Sequence, residues 1–178
     1  MVVKKIKNDL IGFTLIELLV SVSIITILTG VFLTNYHSTN KRSEINMIAQ
    51  KMLSDIHLVQ SKSLSLAEYG ASNIPLGGWG IHLVNGESEY IIFADNNGDN
   101  MYNIGEAEEA KGAKTINMGN VSINNINLAE ILDIVFLPPN PKVYFNGTLG
   151  EEAIISLSDS ESEKKININF LGVVDIED

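Results

Sequence analysis

Oxygen-bearing side chains recur through residues 95–106 at the spacing that a bound calcium ion requires. Calcium takes six to eight oxygen ligands in a flexible geometry, and a main-chain carbonyl commonly joins the carboxylates and carboxamides. The first, third, fifth, ninth and twelfth positions of this segment are Asp95, Asn97, Asp99, Asn103 and Glu106, and the seventh is Met101. The spacing predicts that these residues, Met101 through its carbonyl, bind one structural calcium ion.

The sixth position of this segment departs from the EF-hand pattern that the spacing otherwise follows. Asn100 stands where glycine normally makes the sharp turn, although asparagine also adopts positive φ. Residues 90–94 favour a strand, whereas a helix precedes an EF-hand loop. The alternative is an acidic, solvated turn between strands, but the glutamate at the twelfth position favours calcium. Magnesium fits less well because it demands stricter octahedral geometry.

A second residue whose side chain could form a functional interaction is Glu17, which lies inside an otherwise apolar run over residues 13–33. At about 1.5 Å per helical residue, this run is long enough to cross a hydrocarbon core of about 30 Å. Lys4, Lys5 and Lys7 precede it, which predicts that the chain starts in the cytoplasm. An unpaired carboxylate near lipid costs about 2 to 3 kcal/mol, so we expect Glu17 either to have a partner or to reach the headgroups.

Residues 12–20, with the sequence Gly-Phe-Thr-Leu-Ile-Glu-Leu-Leu-Val behind a short basic leader, resemble the prepilin cleavage and methylation motif. The resemblance implies that a prepilin peptidase cuts after Gly12 and methylates the new amino group of Phe13. It also implies that Glu17 pairs with the terminal amine of another subunit in a growing filament. A glycine before the cut suits close approach of a protease to the backbone.

The same resemblance implies a set of partners and a location. The partners are the peptidase, other pilin or pseudopilin subunits, an inner-membrane assembly platform and membrane lipid. The chain is then a single-pass inner-membrane protein whose C-terminal domain lies outside the cytoplasm and which assembles into a pilus or pseudopilus.

The resemblance implies a leader over residues 1–12, and the hydropathy pattern divides the rest into a long helix (13–68) and a β-rich domain (69–178). The helix has a transmembrane part (13–33) and an amphipathic part (34–68), where apolar residues recur at three- and four-residue steps. These residues are Ile45, Ile48, Ala49, Met52, Leu53, Ile56 and Val59, with Leu66 extending the stripe. Gly70 and the turn-forming residues 73–78 are expected to end the helix.

The remaining residues favour strands and turns. Residues 79–84 and 89–94 flank Asn85-Gly86, which predicts a hairpin. Further strands are predicted over residues 115–118, 121–123, 131–137, 143–145, 153–157, 166–171 and 173–176. One helix followed by many strands predicts an α+β protein. The resemblance implies the pilin fold, a long N-terminal membrane-spanning helix packed on a C-terminal antiparallel sheet.

Four elements in this order resemble those of GspH/FimT-type minor pseudopilins: a helix over residues 49–67, the Gly-Trp-Gly-Ile at residues 78–81, residues 90–95 and residues 166–174. This similarity implies a minor subunit at or near the filament tip that primes assembly of a pseudopilus for protein secretion. An alternative within the family is a FimT-like minor pilin for DNA uptake. From another class, the alternative is a membrane-anchored calcium-binding adhesin that does not polymerise.

The composition disfavours nucleic acid and leaves no basis for an enzyme. Among 178 residues, 12 Lys and Arg face 22 Asp and Glu, giving a net charge of −10. Removal of residues 1–12 takes away three lysines and Asp9, so the net charge becomes −12, which repels phosphates. There is no cysteine, and His37, His57 and His82 lie far apart without a zinc-binding spacing. No catalytic motif stands out, so we expect no enzymatic activity.

Overall fold

The computed structural model describes residues 13–70, 72–106, 113–139, 142–150 and 152–177, with only the backbone described over 34–42. A boundary between two compact units falls between Asn40 and Lys41. The leader predicted over residues 1–12, including Gly12, lies outside the described residues.

Helix α1 runs from Leu15 to Leu64 and contributes to both units. Its first part, Leu15–Leu33, is long enough and apolar enough to cross a membrane, and none of it is buried inside the protein. In the second unit, the helix places Ile45, Met52 and Ile56 on one buried face, each no more than 1% exposed. The predicted amphipathic stripe is therefore confirmed for this part of α1.

The helix ends earlier than the glycine at position 70. Ala67 N–H donates to the Lys62 carbonyl at 2.8 Å, and Leu66 N–H donates to the Ser63 carbonyl at 3.1 Å. This pair of bonds is a Schellman motif, with Leu66 in the left-handed position at φ 52°. Leu66 is 51% exposed, so it closes the helix and does not extend the buried stripe.

The second unit contains two antiparallel sheets. The six-stranded sheet has the order β3-β2-β1-β5-β6-β7, and the four-stranded sheet has the order β10-β9-β8-β4. The strands are β1 (Gly78–Val84), β2 (Glu89–Asp95), β3 (Lys114–Asn117), β4 (Ser122–Ile126), β5 (Ile131–Leu137), β6 (Lys142–Phe145), β7 (Thr148–Leu149), β8 (Glu152–Ser158), β9 (Glu163–Asn169) and β10 (Val174–Glu177). The α+β class is confirmed.

One apolar core joins α1 to both sheets within the second unit. The helix supplies the stripe described above, the larger sheet supplies Ile81, Leu132 and Ile134, and the smaller sheet supplies Ile155 and Ile166. Those five sheet residues are all fully buried. On β5 every residue from Leu132 to Phe136 is buried, so both faces of that strand are covered. Ala94 of β2 also belongs to this core, and the acidic loop starts at the next residue, Asp95.

Candidate functional sites

The start of α1 is closed by a reciprocal pair of hydrogen bonds between Thr14 and Glu17. Thr14 donates to Glu17 Oε2 through its backbone N–H at 2.9 Å and through Oγ1 at 2.8 Å. In return, Glu17 N–H donates to Thr14 Oγ1 at 3.3 Å. This arrangement is a capping box, which satisfies N–H groups that the first helical turn leaves unpaired.

The capping box gives Glu17 a local partner that the membrane argument did not identify. The spacing Thr-x-x-Glu before an apolar run is a sequence signature of this box, so it is readable from the sequence. Glu17 Oε1 accepts no hydrogen bond from any described residue, whereas Oε2 accepts two. Phe13, directly before the box, is 86% exposed. The carboxylate is therefore half-satisfied, one turn from the predicted new amino terminus.

The serine and threonine hydroxyls within residues 15–33 of α1 all bond inside the helix, so none is left to donate to a neighbouring helix. Ser21, Ser23, Thr26 and Thr29 each donate to the main-chain carbonyl four residues earlier, at 2.7 to 2.8 Å. Such bonding satisfies a hydroxyl inside the helix, as an apolar solvent requires. Within this segment, Glu17 is the charged residue. Its carboxylate is thus the polar feature that a partner helix meets here.

The acidic loop begins at a buried carboxylate. Asp95 is the last residue of β2, in register with Gly78 of β1, and it is 0% exposed. Its Oδ1 accepts Gly98 N–H at 2.7 Å, and its Oδ2 accepts Asn100 N–H at 2.8 Å. A Cβ on Gly77 would overlap the Asp95 carboxylate, so a glycine is needed there. These contacts fold the chain tightly around the first position of the predicted calcium loop.

The sixth position behaves as the EF-hand pattern requires. Asn100 has φ 61°, the left-handed conformation that glycine normally supplies, and its N–H points back to the Asp95 carboxylate. The substitution of asparagine for glycine therefore does not prevent the turn. Its Oδ1 is shielded from solvent and has no hydrogen-bond partner among the described residues.

The loop closes at Glu106, in a short 3-10 turn over Ile104–Glu106. Glu106 is 4% exposed, and its Oε1 and Oε2 accept the N–H groups of Asn96 and Asn103 at 2.6 and 3.1 Å. Between these ends, Asp99 accepts Met101 N–H at 3.0 Å. The carboxamides of Asn97 and Asn103 both donate to Asp99 Oδ2 at 2.9 Å.

The three acids of the loop lie within electrostatic reach of one another. Burial raises the pKa of Asp95, and the nearby charge of Asp99 raises it further, against hydrogen bonds from Gly98 and Asn100 that lower it. Burial also raises the pKa of Glu106, and Asp95 and Asp99 add to that rise. The loop thus concentrates negative charge in a partly dehydrated place, which a cation relieves.

The donor chemistry of the loop fits calcium, although its carboxylates are turned toward backbone N–H groups. Among the described residues, no group of three or more His, Asp or Glu side chains is arranged to hold a metal ion. A carboxylate oxygen that accepts one N–H still has a lone pair for a cation. From the described residues, the Met101 carbonyl accepts a single long bond of 3.4 Å, donated by Asn103 Nδ2. The loop therefore keeps oxygen atoms that a cation could bind, but the described residues do not gather its three carboxylates into one metal-holding group.

Asp133 ties this loop to the larger sheet, a connection that the loop spacing did not reveal. It is 3% exposed in the middle of β5. Its Oδ1 lies 2.6 Å from His82 Nδ1, and its Oδ2 accepts Tyr102 N–H at 3.0 Å. The Tyr102 ring lies over the His82 imidazole, with centroids 4.3 Å apart. An acid inside an otherwise apolar strand was the available sequence signal.

Comparison of the chain with protein-family models, with curated proteins and with solved structures gave no match. Inferences about function therefore rest on the residues and on their geometry.

Proposed function

We propose that this chain is a prepilin-type structural subunit of a type IV pilus or of a type II secretion pseudopilus. A prepilin peptidase processes it, and the subunits assemble through their N-terminal helices. The supporting observation is a 19-residue apolar helix, unburied within its own chain, whose acid Glu17 lies in the first turn. That turn directly follows the basic leader and the Gly12-Phe13 junction. No catalytic group is needed in this chain, because the peptidase supplies the chemistry.

In this proposal, the half-satisfied carboxylate sets the position of each subunit. Cleavage after Gly12 creates an ammonium on Phe13, next to the capping box. In the subunit alone, Thr14 holds Glu17 Oε2, which leaves Oε1 for the ammonium of another copy. An ion pair in lipid is stable only when both charges meet, so a wrongly placed subunit leaves both unpaired. The ion pair thereby selects the register of assembly.

Co-expression with a prepilin peptidase tests the processing step. Mass spectrometry of the purified chain is expected to show loss of residues 1–12 and one methyl group on Phe13. A Gly12→Val variant is the matched control, because a side chain at that position obstructs the protease. An intact leader on the unmodified chain contradicts the proposal.

Within the family, we propose a minor subunit near the filament tip in protein secretion, with the C-terminal unit outside the cytoplasm. The FimT-like DNA-uptake alternative needs a basic surface. After cleavage, nine Lys and Arg would remain against 21 Asp and Glu, since three lysines and Asp9 leave. An electrophoretic mobility shift at low salt separates the two, because a DNA receptor retards the duplex and an acidic secretion subunit does not.

A second proposed function, favoured by the turn at Asn100, is structural calcium binding by the loop over residues 95–106. The proposed ligands are Asp95, Asn97, Asp99, Met101, Asn103 and Glu106. Calcium would neutralise three neighbouring acids, two of which are buried, and so order the loop. This site suits a filament subunit and equally a calcium-binding adhesin that stays monomeric. Chemical cross-linking in membranes distinguishes them, since a filament subunit gives a ladder of oligomers.

A further inference from the structure

The capping box fixes where α1 begins, directly after the bond at which cleavage is proposed. Thr14 is the N-cap residue, because its carbonyl accepts the first bond of the helix, from Leu18 N–H at 3.2 Å, and α1 begins at Leu15. Phe13 precedes this cap, lies outside the helix and is 86% exposed. The residue on the amine side of the proposed cut is therefore open to another protein.

A start of α1 further toward the amino terminus would hide this bond. A peptidase acts most readily on exposed chain that is not held in secondary structure. In a longer helix, the Gly12 carbonyl would accept the Ile16 N–H, four residues along. Hydrolysis adds water at that carbonyl carbon and breaks its bond to the Phe13 nitrogen, which leaves Gly12 as a carboxylate and Phe13 as an amine. A helical hydrogen bond on the carbonyl opposes this step.

Both halves of the capping box oppose such growth of the helix. A longer helix would direct the N–H groups of Thr14 and Glu17 at the carbonyls of residues 10 and 13. In the box, these two donors already have acceptors, since Thr14 N–H donates to Glu17 Oε2 at 2.9 Å and Glu17 N–H donates to Thr14 Oγ1 at 3.3 Å. The longer helix therefore gains little from them.

We propose that the capping box positions the Gly12–Phe13 bond for the prepilin peptidase, with Thr14 as the positioning residue. This inference rests on the processing proposed above. It gives Glu17 two separable roles. As a hydrogen-bond acceptor it closes α1 before cleavage, and as a charge it pairs with another subunit after cleavage.

The test measures cleavage of the full chain in lipid nanodiscs by purified prepilin peptidase, with mass spectrometry of the product. Thr14→Ala and Thr14→Val remove the capping hydroxyl. We expect each to lower kcat/KM by up to about fivefold, the factor that corresponds to a cap of about 1 kcal/mol. The change should fall on KM and not on kcat, because the fraction of chains that presents the open bond decreases.

Two further variants separate the cap from the identity of the side chain. Thr14→Asn keeps a capping acceptor in a side chain of another shape, so we expect it to be cleaved like the unmodified chain. Glu17→Gln keeps the box without the charge and should also be cleaved normally. Ser21→Ala is the matched control, because the Ser21 hydroxyl donates to the Glu17 carbonyl inside the helix and takes no part in the cap.

Slower cleavage of Thr14→Ala and Thr14→Val, with normal cleavage of the other three variants, supports the proposal. The proposal is overturned if Thr14→Ala is cleaved as fast as the unmodified chain. It is also overturned if Thr14→Asn is as slow as Thr14→Ala, since the peptidase then recognises threonine itself. If the unmodified chain is not cleaved, the proposed processing falls as well. Circular dichroism of each variant verifies that α1 is intact.

Discussion

The start of α1 and the acidic loop use carboxylates in opposite ways. Glu17 is exposed, and its two bonds from Thr14 fall on one oxygen, so a partner can still reach the other. Asp95 is fully buried, and both its oxygens accept backbone N–H groups of its own loop. The first acid keeps one oxygen that the proposed assembly would use, whereas the second organises its own loop. Substitution of Glu17 should therefore reduce filament assembly, whereas substitution of Asp95 should reduce the free energy of unfolding.

The largest expected effect separates assembly from folding at Glu17. Glu17→Gln keeps the capping box, because glutamine also suits this position, but it removes the charge. We expect filament incorporation to fall by about a hundredfold or more, since breaking a buried ion pair costs about 3 kcal/mol or more. Sedimentation of assembled filaments measures this loss. Thermal melting of the second unit should not change.

Thr14→Ala is the matched control for this prediction, because it removes the cap and keeps the charge. It should weaken the helix by about 1 kcal/mol and leave most of the incorporation intact. If Glu17→Gln assembles like the unmodified chain, charge pairing is not what selects the register, and the capping role of Glu17 is sufficient.

The next largest effect is expected at the buried acid of the loop. Asp95→Ala leaves the N–H groups of Gly98 and Asn100 without their acceptor and opens space beside Gly77. We expect unfolding free energy to fall by about 2 to 4 kcal/mol, measured by urea denaturation. Asp99→Ala, at an exposed position, should cost about 1 kcal/mol or less. Equal losses would show that burial does not distinguish the two acids.

Calcium should sharpen the contrast between the two regions. At a concentration about one hundred times the dissociation constant, binding stabilises the folded state by about 2.7 kcal/mol. Calorimetric melting with calcium and with a chelator measures the resulting shift in melting temperature. We expect it for the unmodified chain and for Glu17→Gln, but not for Glu106→Gln, which loses the closing carboxylate. A shift that magnesium reproduces in full, or no shift at all, contradicts the calcium site.

A smaller effect is expected where the loop is attached to the sheet. Asp133→Asn keeps one acceptor for either His82 or Tyr102 but not a charged acceptor for both. We expect a loss of about 1 to 2 kcal/mol and faster hydrogen exchange at the Tyr102 amide. Glu130→Gln, at an exposed position just before β5, serves as the control. Unchanged exchange at Tyr102 would mean that the Asp133 bond does not hold the loop.

Much of the fold was predictable because local pattern and tertiary packing agree. The bounds of β5 match the prediction, and those of β1 and β2 differ by one residue at one end, since their apolar runs are bounded by turn residues. The pattern could not predict β7, which has only two residues, both exposed. Nor could it predict that Leu66 adopts a left-handed conformation, because leucine intrinsically disfavours it.

The candidate sites were predictable only in part, for a different reason. Spacing alone was enough to predict the calcium loop, since the proposed ligands follow one another along the chain. The hold of Asp133 on Tyr102 spans 31 positions in sequence, so local pattern carries no trace of it. The capping box at Thr14 could be predicted from the local spacing of Thr14 and Glu17. An acid in an apolar segment, however, more directly suggests an ion pair with another chain.

The back-bonded hydroxyls of α1 have a mechanical consequence. Because every serine and threonine within residues 15–33 bonds to a carbonyl of the same helix, this segment offers a neighbouring helix apolar contacts and the single carboxylate of Glu17. In the proposed filament, the axial position of a subunit is then fixed at one end of this segment, by Glu17. A polar group added halfway along this segment and facing a neighbouring helix would create a second favoured axial position. Some subunits would then be held in the wrong register.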